Sequence, residues 1–176
     1  MDEREYKIIL EEANVEPQLQ KNYYFGSPFI DREIMVRIRQ KAASFTLCYK
    51  RRMAQMESVT VCDEYETELS QEEALRMLEN GISARELKQF FGVDLDNMRH
   101  IGSMDTYRAK FKLEEWTLEL DKNVYLDRVD YELECEDRDV AALNKLKNYL
   151  YYKFGTIIKP ASPKVQRFLD RLAQLP

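Results

Sequence analysis

Strict alternation of apolar and polar side chains is the dominant pattern along this chain, and it predicts β-strands. In the segment IMVRIRQK that begins at Ile34, apolar residues occupy one face of a strand while Arg37 and Arg39 occupy the other. The same period of two recurs in FTLCYKRR (45–52), VTVCDEYETEL (59–69), TYRAKFKL (106–113), EWTLELDKN (115–123) and VDYELECE (129–136).

The first residues of the chain also fit this alternation. If EREYK, residues 3–7, forms a strand, then Glu3, Glu5 and Lys7 share one face and Tyr6 lies on the other. Two carboxylates and an ammonium would then line up on a single face, which makes them candidates for a functional site.

Helical signals separate and follow the strands. Two S-x-x-E capping boxes, Ser70 with Glu73 and Ser83 with Glu86, predict two short helices in an insertion of about residues 70–92. C-terminal helices are predicted over about 139–154 and 162–175, the last beginning at Ser162 and Pro163. No linker composition interrupts the chain, so residues 1–176 are predicted to form a single domain.

The charges of the polar faces are segregated by strand. Arg37, Arg39, Lys50 and Arg108 lie on cationic faces, and Glu119, Asp121, Glu132, Glu134 and Glu136 lie on anionic faces. A solvated sheet face usually mixes the two signs, so we expect a barrel whose polar faces point inward and whose apolar faces are covered by helices. A solvated face, or an ion-pair lattice that binds no ligand, remains the alternative.

Composition narrows the class of protein. With 44% hydrophobic and 34% charged residues the chain is neither disordered nor rich in long apolar runs, and no signal peptide is visible, so a cytoplasmic protein is expected. The net charge of −5 argues against a nucleic-acid surface. Three widely spaced cysteines, Cys48, Cys62 and Cys135, are expected to be reduced.

The two kinds of charged face suit one kind of ligand. Clustered carboxylates suit a hard divalent cation such as Mg²⁺ or Mn²⁺. Clustered Arg and Lys side chains suit a polyanion, because guanidinium groups match phosphate oxygens. A metal-bound triphosphate would satisfy both, so a triphosphate-containing small molecule is the expected partner.

A family resemblance rests on several of these motifs. The Glu3-x-Glu5-x-Lys7 stretch resembles the ExExK signature of the CYTH superfamily, the triphosphate tunnel metalloenzymes, and further motifs follow in the family's order. These are NYYFGSP, MVRIRQK, FTLCYKR, IGSMDTYR, LELD, DYELECE and SPKVQR. The resemblance covers essentially the whole chain and implies an α+β fold, an eight-stranded antiparallel β-barrel that forms a tunnel with a polar interior, flanked by helices.

The resemblance also implies roles for individual residues. Metal ligands would be Glu3, Glu5, Asp121, Glu132 and Glu134, with Glu119 and Glu136 as looser matches. Phosphate-binding residues would be Lys7, Arg37, Arg39, Lys50, Arg108, Lys164 and Arg167. Lys7, Asp121 and Glu132 would be catalytic. Gly26 and Ser27 stand at a turn where family members often carry an acidic residue, and the loss of this residue is expected to affect loop geometry or substrate preference.

The function implied is metal-dependent hydrolysis of a triphosphate, with inorganic triphosphate favoured because no aromatic clamp for thiamine triphosphate is evident. A class IV adenylate cyclase would use the same tunnel and stays an alternative, as does a thiamine triphosphatase. A non-catalytic polyphosphate-binding module is the alternative of another class. Neither nucleic acid nor a membrane is an expected partner, and a homodimer is left open.

Overall fold

The structure is a computed structural model that describes residues 1–28, 33–56, 59–135, 140–155 and 162–175. Its elements are, in chain order, α1 (Glu3–Ala13), β1 (Gln18–Gly26), β2 (Ile34–Lys41), β3 (Ser44–Met56), β4 (Val59–Leu69), α2 (Gln71–Asn80), α3 (Ala84–Phe91), β5 (Arg99–Leu113), β6 (Trp116–Tyr125), β7 (Arg128–Cys135), α4 (Val140–Phe154) and α5 (Lys164–Leu172). The α+β prediction with an antiparallel sheet is confirmed.

The strands form one sheet in the order β4-β3-β2-β1-β5-β6-β7. The described residues contain seven strands rather than the eight predicted, and β4 and β7 are the two ends of the strand order, so the sheet is not closed. The strand predicted for the start of the chain accounts for the difference in number, because those residues are helical.

The prediction of a strand at residues 3–7 is wrong, since α1 begins at Glu3. The Asp2 carboxylate accepts a hydrogen bond from the Glu5 N–H at 2.8 Å, and the Glu5 carboxylate accepts one from the Asp2 N–H at 2.8 Å. This capping box starts the helix. Tyr6 and Ile9, three residues apart, are then buried on one helical face.

The other helices agree closely with the sequence. Both predicted capping boxes form, with Ser70 at the start of α2 and Ser83 at the start of α3. Helix α4 ends before Gly155, which has a φ of 67°. Helix α5 begins two residues later than predicted: Pro163 is its N-cap and no side chain caps the first turn. Among the described residues, no helix combines the length and apolarity needed to cross a membrane.

The chain divides into two compact units, of which the first comprises Met1–Leu19 and Asp105–Ala161. Its core lies between the apolar faces of β5, β6 and β7 and the helices α1 and α4. Ile9 of α1, Leu150 of α4 and Leu118 of β6 belong to it and are almost completely buried. Trp116 packs in the same core, beside the Tyr149 ring at 5.8 Å.

The second unit comprises Gln20–Met104 and Ser162–Pro176. Helices α2 and α3 cover the apolar face of β1–β4 and bury Met77 and Leu87 against Val36 and Ile38. Helix α5 is anchored by Phe168, whose fully buried ring lies 5.1 Å from the Tyr24 ring. In each unit the polar face of the sheet is therefore the side opposite the main apolar core.

Candidate functional site

The pairing of β6 with β7 brings the predicted carboxylates together in the first unit. Asp121 lies opposite Glu132 and Glu119 lies opposite Glu134 in the antiparallel register. One carboxylate oxygen from each of Asp121, Glu132 and Glu134 lies within 4.8 Å of the other two. Asp121 is fully buried, whereas Glu132 and Glu134 are half-buried. We call Asp121, Glu132 and Glu134 the carboxylate group.

Arg108 of β5 is held against the carboxylate group. Its Nε and Nη2 donate to the two oxygens of Asp121 at 2.8 and 2.6 Å, and Nη2 also donates to Glu134 Oε2 at 3.0 Å. Its Nη1 donates to Glu119, to which Lys110 Nζ also donates at 2.9 Å. Burial opposes the charge of the guanidinium, but its hydrogen bond and charge interaction with Asp121 prevail and raise the pKa of Arg108.

Asn123 of β6, a neutral residue that was not among the predicted site residues, links several polar side chains of this face. Asn123 is fully buried; its Oδ1 accepts from Thr106 Oγ1 at 2.8 Å, and its Nδ2 donates to Asp130 Oδ1 at 3.0 Å and Glu132 Oε1 at 3.3 Å. Tyr125 OH donates to Asp130 Oδ2 at 2.8 Å. Asn123 shares the parity of Asp121 in β6, which was the available signal. The amide oxygen and the amide nitrogen of Asn123 thus both hold neighbouring polar side chains in place.

The carboxylate group fits a hard divalent cation. Its donors are all carboxylate oxygens, the ligand type that Mg²⁺ and Mn²⁺ prefer, and no sulfur or imidazole donor belongs to the group. The surrounding polar face carries five carboxylates, of which Asp121, Glu134 and Glu119 accept hydrogen bonds from Arg108 and Glu119 also accepts one from Lys110. Closely spaced carboxylates repel one another, and a bound cation reduces that repulsion.

A second set of charged residues lies on the polar face of the second unit. Arg37 and Arg39 of β2 lie opposite Cys48 and Thr46 of β3, in register. Arg39 Nη2 donates to Glu66 of β4 and contacts Cys48 Sγ at 3.4 Å. The Nε atoms of both arginines are buried and have no acceptor among the described residues. A buried guanidinium donor without an acceptor favours an anionic ligand.

Two residues beside Arg37 and Arg39, namely Cys48 and Glu66, have shifted pKa values. The free thiol of Cys48 is buried, which raises its pKa, and it contacts Glu66 Oε1 at 3.4 Å. Partial burial acts to raise the pKa of Glu66, but the charges of Arg39 and Arg37 and the hydrogen bonds from Cys48 and Arg39 together outweigh it, and the pKa is lowered. Lys50, on the same face, donates to Glu64 Oε2 at 3.3 Å.

The two basic residues predicted near the C-terminus lie on α5 in this second unit. Lys164 and Arg167 are both half-buried, and Arg167 Nη1 donates to the Ser162 carbonyl oxygen at 2.5 Å. Their helix is fixed by Phe168, which packs on Gly102 of β5. A phosphate-binding role for Lys164 and Arg167 stays a prediction.

The structure does not bring Glu3, Glu5 or Lys7 into the carboxylate group. Glu3 and Lys7 form an exposed i,i+4 ion pair at 2.8 Å on α1, and the Glu5 carboxylate caps the helix. Helix α1 packs on the apolar face of β7 through Tyr6, whose ring lies 4.9 Å from Tyr131. Because side chains alternate along β7, Glu132 and Glu134 point to the opposite face. Glu136 lies outside the described residues.

A cavity of about 580 Å³ lies elsewhere in the second unit, beside α3 and the Gly26-Ser27 turn. Ser27, Arg85 and Asp96 line it, together with Lys88 and Asp94, which pair with each other at 2.6 Å. None of the residues predicted to bind metal or phosphate lines this cavity, so the charged sheet faces remain the candidate site.

The fold and site define an α+β protein with an antiparallel sheet whose polar faces carry acidic and basic side chains on neighbouring strands, where they form ion pairs. The family model of the CYTH domain matches residues 1–169, so the chain belongs to the CYTH family and the predicted resemblance is confirmed. A search of curated proteins found no match.

Several solved structures share the fold. A "putative adenylate cyclase" from Bacillus halodurans is 25% identical, with a TM-score of 0.78 over 96% of this chain and 92% of that one. A "putative adenylyl cyclase" from Hippeastrum, described as having a dominant triphosphatase activity, is 21% identical, with a TM-score of 0.82 over 97% and 92%. The PH1012 protein from Pyrococcus horikoshii is 18% identical, with a TM-score of 0.60 over 93% and 91%.

Proposed function

We propose that this CYTH protein is a cytoplasmic enzyme that hydrolyses a triphosphate with the help of a divalent metal, inorganic triphosphate being the favoured substrate. The observation that carries the proposal is the grouping of Asp121, Glu132 and Glu134 oxygens within 4.8 Å of one another. Membership of the CYTH family supports it. The activity named for the Hippeastrum structure is of the same kind.

The residues of the first unit would hold the cation. Asp121, Glu132 and Glu134 would be its ligands, and Asn123 holds Glu132 in place through a hydrogen bond at 3.3 Å. When bound, Mg²⁺ or Mn²⁺ supplies charge neutralisation for the phosphoryl groups and activation of an attacking water. Asp121 and Glu132 would thus be the principal catalytic carboxylates.

The basic residues would bind the phosphates. Arg37 and Arg39 each offer a buried Nε donor without an acceptor among the described residues, and Arg108 offers a guanidinium on the polar face of the first unit. Lys50, Lys164 and Arg167 would add positive charge by family resemblance. The roles of Glu3, Glu5 and Lys7 remain predictions from the family resemblance, and the exposed ion pair that Glu3 and Lys7 form on α1 does not support them.

The test is a product assay with matched variants. We expect Mg²⁺- or Mn²⁺-dependent phosphate release from inorganic triphosphate, compared with thiamine triphosphate and ATP. Glu132→Gln and Glu134→Gln should each lower kcat by about 100-fold, because each removes a metal ligand while preserving side-chain size. Glu115→Gln, the same change at an exposed residue of the β5–β6 turn, is the control and should retain full activity. Full turnover in the first two variants, or phosphate release with excess chelator, would contradict the proposal.

Adenylate cyclase activity is the second candidate, favoured by the name given to the 25%-identical Bacillus halodurans structure. In that reaction the ribose 3′ hydroxyl would attack the α-phosphate of ATP and pyrophosphate would leave. Monitoring cyclic AMP and pyrophosphate in the same ATP assay distinguishes the two reactions, because hydrolysis releases orthophosphate and produces no cyclic nucleotide.

A further inference from the structure

Arg108 occupies the carboxylates that the proposed function assigns to the metal. Two of the three members of the carboxylate group, Asp121 and Glu134, accept hydrogen bonds from it. Asp121 is bonded at both of its oxygens, by a guanidinium fork at 2.8 and 2.6 Å. The side chain of Arg108 therefore neutralises part of the negative charge of this face from within the chain.

A divalent cation bound by the same carboxylates would meet strong repulsion from this guanidinium. Coulomb repulsion between a unit charge and a doubly charged ion is twice that between two unit charges, and it is weakly screened on a partly buried face. The Arg108 side chain is 19% exposed and that of Asp121 is completely buried. Arginine and metal must compete for Asp121 and Glu134.

Arg108 has a second anchor that does not belong to the carboxylate group. Its Nη1 donates to Glu119, which is held in turn by Lys110 Nζ at 2.9 Å. If the bonds to Asp121 and Glu134 break, the guanidinium can keep its bond to Glu119 while Nε and Nη2 become available. Two adjacent N–H donors of a guanidinium match two oxygens of a phosphate.

We propose that Arg108 is an exchangeable counter-ion: binding of a divalent cation displaces it from Asp121 and Glu134, and the released Nε and Nη2 then bind a phosphate oxygen of the substrate. The proposal rests on the proposed function for the metal at these carboxylates and for the identity of the anion. By linkage, metal and phosphate then favour each other's binding. Arg108 acts in this scheme as a positioning residue for the metal ligands before the metal arrives, and as a phosphate ligand afterwards.

The exchange predicts that removing Arg108 strengthens metal binding. Mn²⁺ would be titrated into wild type and variants without any phosphate, and free Mn²⁺ measured by electron paramagnetic resonance. Arg108→Gln should bind Mn²⁺ about tenfold more tightly than wild type, or more, because a competing positive charge is lost. Lys110→Gln is the matched control: it removes one charge from the next residue on the same face, bonded to Glu119, and should change the affinity by less than about threefold. Affinity equal to or weaker than wild type in Arg108→Gln would overturn the proposal.

The Arg108→Gln variant loses the two hydrogen bonds that Arg108 donates to the buried Asp121 carboxylate. A second measurement therefore uses the wild-type protein, in which both bonds are intact. In a ¹H–¹⁵N spectrum of the guanidinium region, the Arg108 Nε–H, assigned by its absence in Arg108→Lys, should be protected in metal-free protein. It should shift and exchange faster with water when Mg²⁺ is added. An Nε–H signal unchanged at a Mg²⁺ concentration that saturates binding would show that the fork on Asp121 persists, and the exchange would be refuted.

These outcomes separate the exchange from the proposed function. Tighter Mn²⁺ binding by Arg108→Gln, together with a wild type that releases no phosphate from any triphosphate, would sustain the exchange and reject the enzyme. Metal-dependent phosphate release, together with unchanged Mn²⁺ affinity in Arg108→Gln, would sustain the enzyme and reject the exchange.

Discussion

Asn123 shows how one uncharged side chain organises charged neighbours. It has no access to solvent, and its amide donates to two carboxylates and accepts from Thr106. Donation to Asp130 and Glu132 requires the NH₂ group, which no carboxylate can supply. Asn123 thus donates a hydrogen bond to each of two carboxylates, Asp130 and Glu132, on the polar face of the first unit.

Replacing this amide by a carboxylate is expected to be costly. Asn123→Asp should lower the free energy of unfolding by about 2–4 kcal/mol without metal, because a buried donor becomes a third negative charge beside Asp130 and Glu132. Mg²⁺ should restore part of the loss. Urea denaturation with Mg²⁺ and with chelator measures both effects. Asn148→Asp, the same change at an exposed residue of α4, is the control, and equal losses in the two variants would contradict this role of Asn123.

Helix α5 depends on a close approach at a single glycine. Gly102 has a φ of 144°, and a Cβ there would lie 2.7 Å from Phe168 Cζ. Glycine is required at this position for both reasons, the backbone conformation and the space. The packing of α5, and with it the position of Lys164 and Arg167, is fixed by this contact.

Gly102→Ala is expected to destabilise the protein by about 2–3 kcal/mol, measured by urea denaturation. Gly92→Ala separates the two causes, since Gly92 has a φ of 70° but nothing within 4 Å of the added Cβ. It should cost about 1 kcal/mol. Adding Phe168→Leu to Gly102→Ala should cost less than the sum of the two single changes, because the clash is relieved. Strict additivity would show that the ring contact is not the cause.

Strands and helices differed in how well the sequence specified them. Strict alternation over seven or more residues located β2, β4 and β6, and capping boxes located α2 and α3. The five residues EREYK fit both the period of two of a strand and the period of about 3.6 of a helix. The signal that decides between the two is Asp2 with Glu5, which forms a third capping box. Pairing partners could not be derived, since alternation fixes a face but not which strand lies alongside. Asn123 was missed because an amide carries no charge to reveal it.

The position of α1 leads to a test of the ExExK interpretation. Glu3 and Lys7 are about three-fifths exposed on α1, so Glu3→Gln should leave both the unfolding free energy and the Mn²⁺ affinity nearly unchanged. Asp2→Ala, which removes the cap, should cost about 1 kcal/mol. Thermal denaturation and Mn²⁺ titration measure these effects. A loss of Mn²⁺ binding in Glu3→Gln comparable to that in Glu132→Gln would support the metal-ligand role that the ExExK motif predicts for Glu3.

The free energy of unfolding at acidic pH is a property of the molecule as a whole, because it depends on carboxylates distributed over many helices and strands. Glu86 illustrates the sign: partial burial acts to raise its pKa, but hydrogen bonds from Ser83 and the neighbouring Arg76 lower it below the ordinary value. A pKa lower in the folded state than in the unfolded state means that the ionised carboxylate stabilises the fold. That contribution is complete above the ordinary pKa of about 4.3 and is lost as the pH falls through the folded-state pKa.

Unfolding free energy should therefore decline as the pH is lowered from about 5 to 3. Glu86→Gln should be less stable than wild type at pH 7 and should show a smaller decline, since one of the titrating groups is gone. Glu79→Gln, at an exposed residue of α2, should follow the wild-type curve. Urea denaturation at several pH values provides the comparison. An identical pH dependence in Glu86→Gln would indicate that this carboxylate does not contribute.

The two-residue connections Glu114-Glu115 and Leu126-Asp127, on either side of β6, limit how the length of this chain can change in evolution. Deleting a single residue of β6 before Glu119 would shift the rest of the strand by one residue, so that Leu120, Lys122 and Val124 would take the places of Glu119, Asp121 and Asn123 on the polar face. Insertions and deletions in descendants of this sequence should accordingly fall at those connections, or come in pairs within a strand.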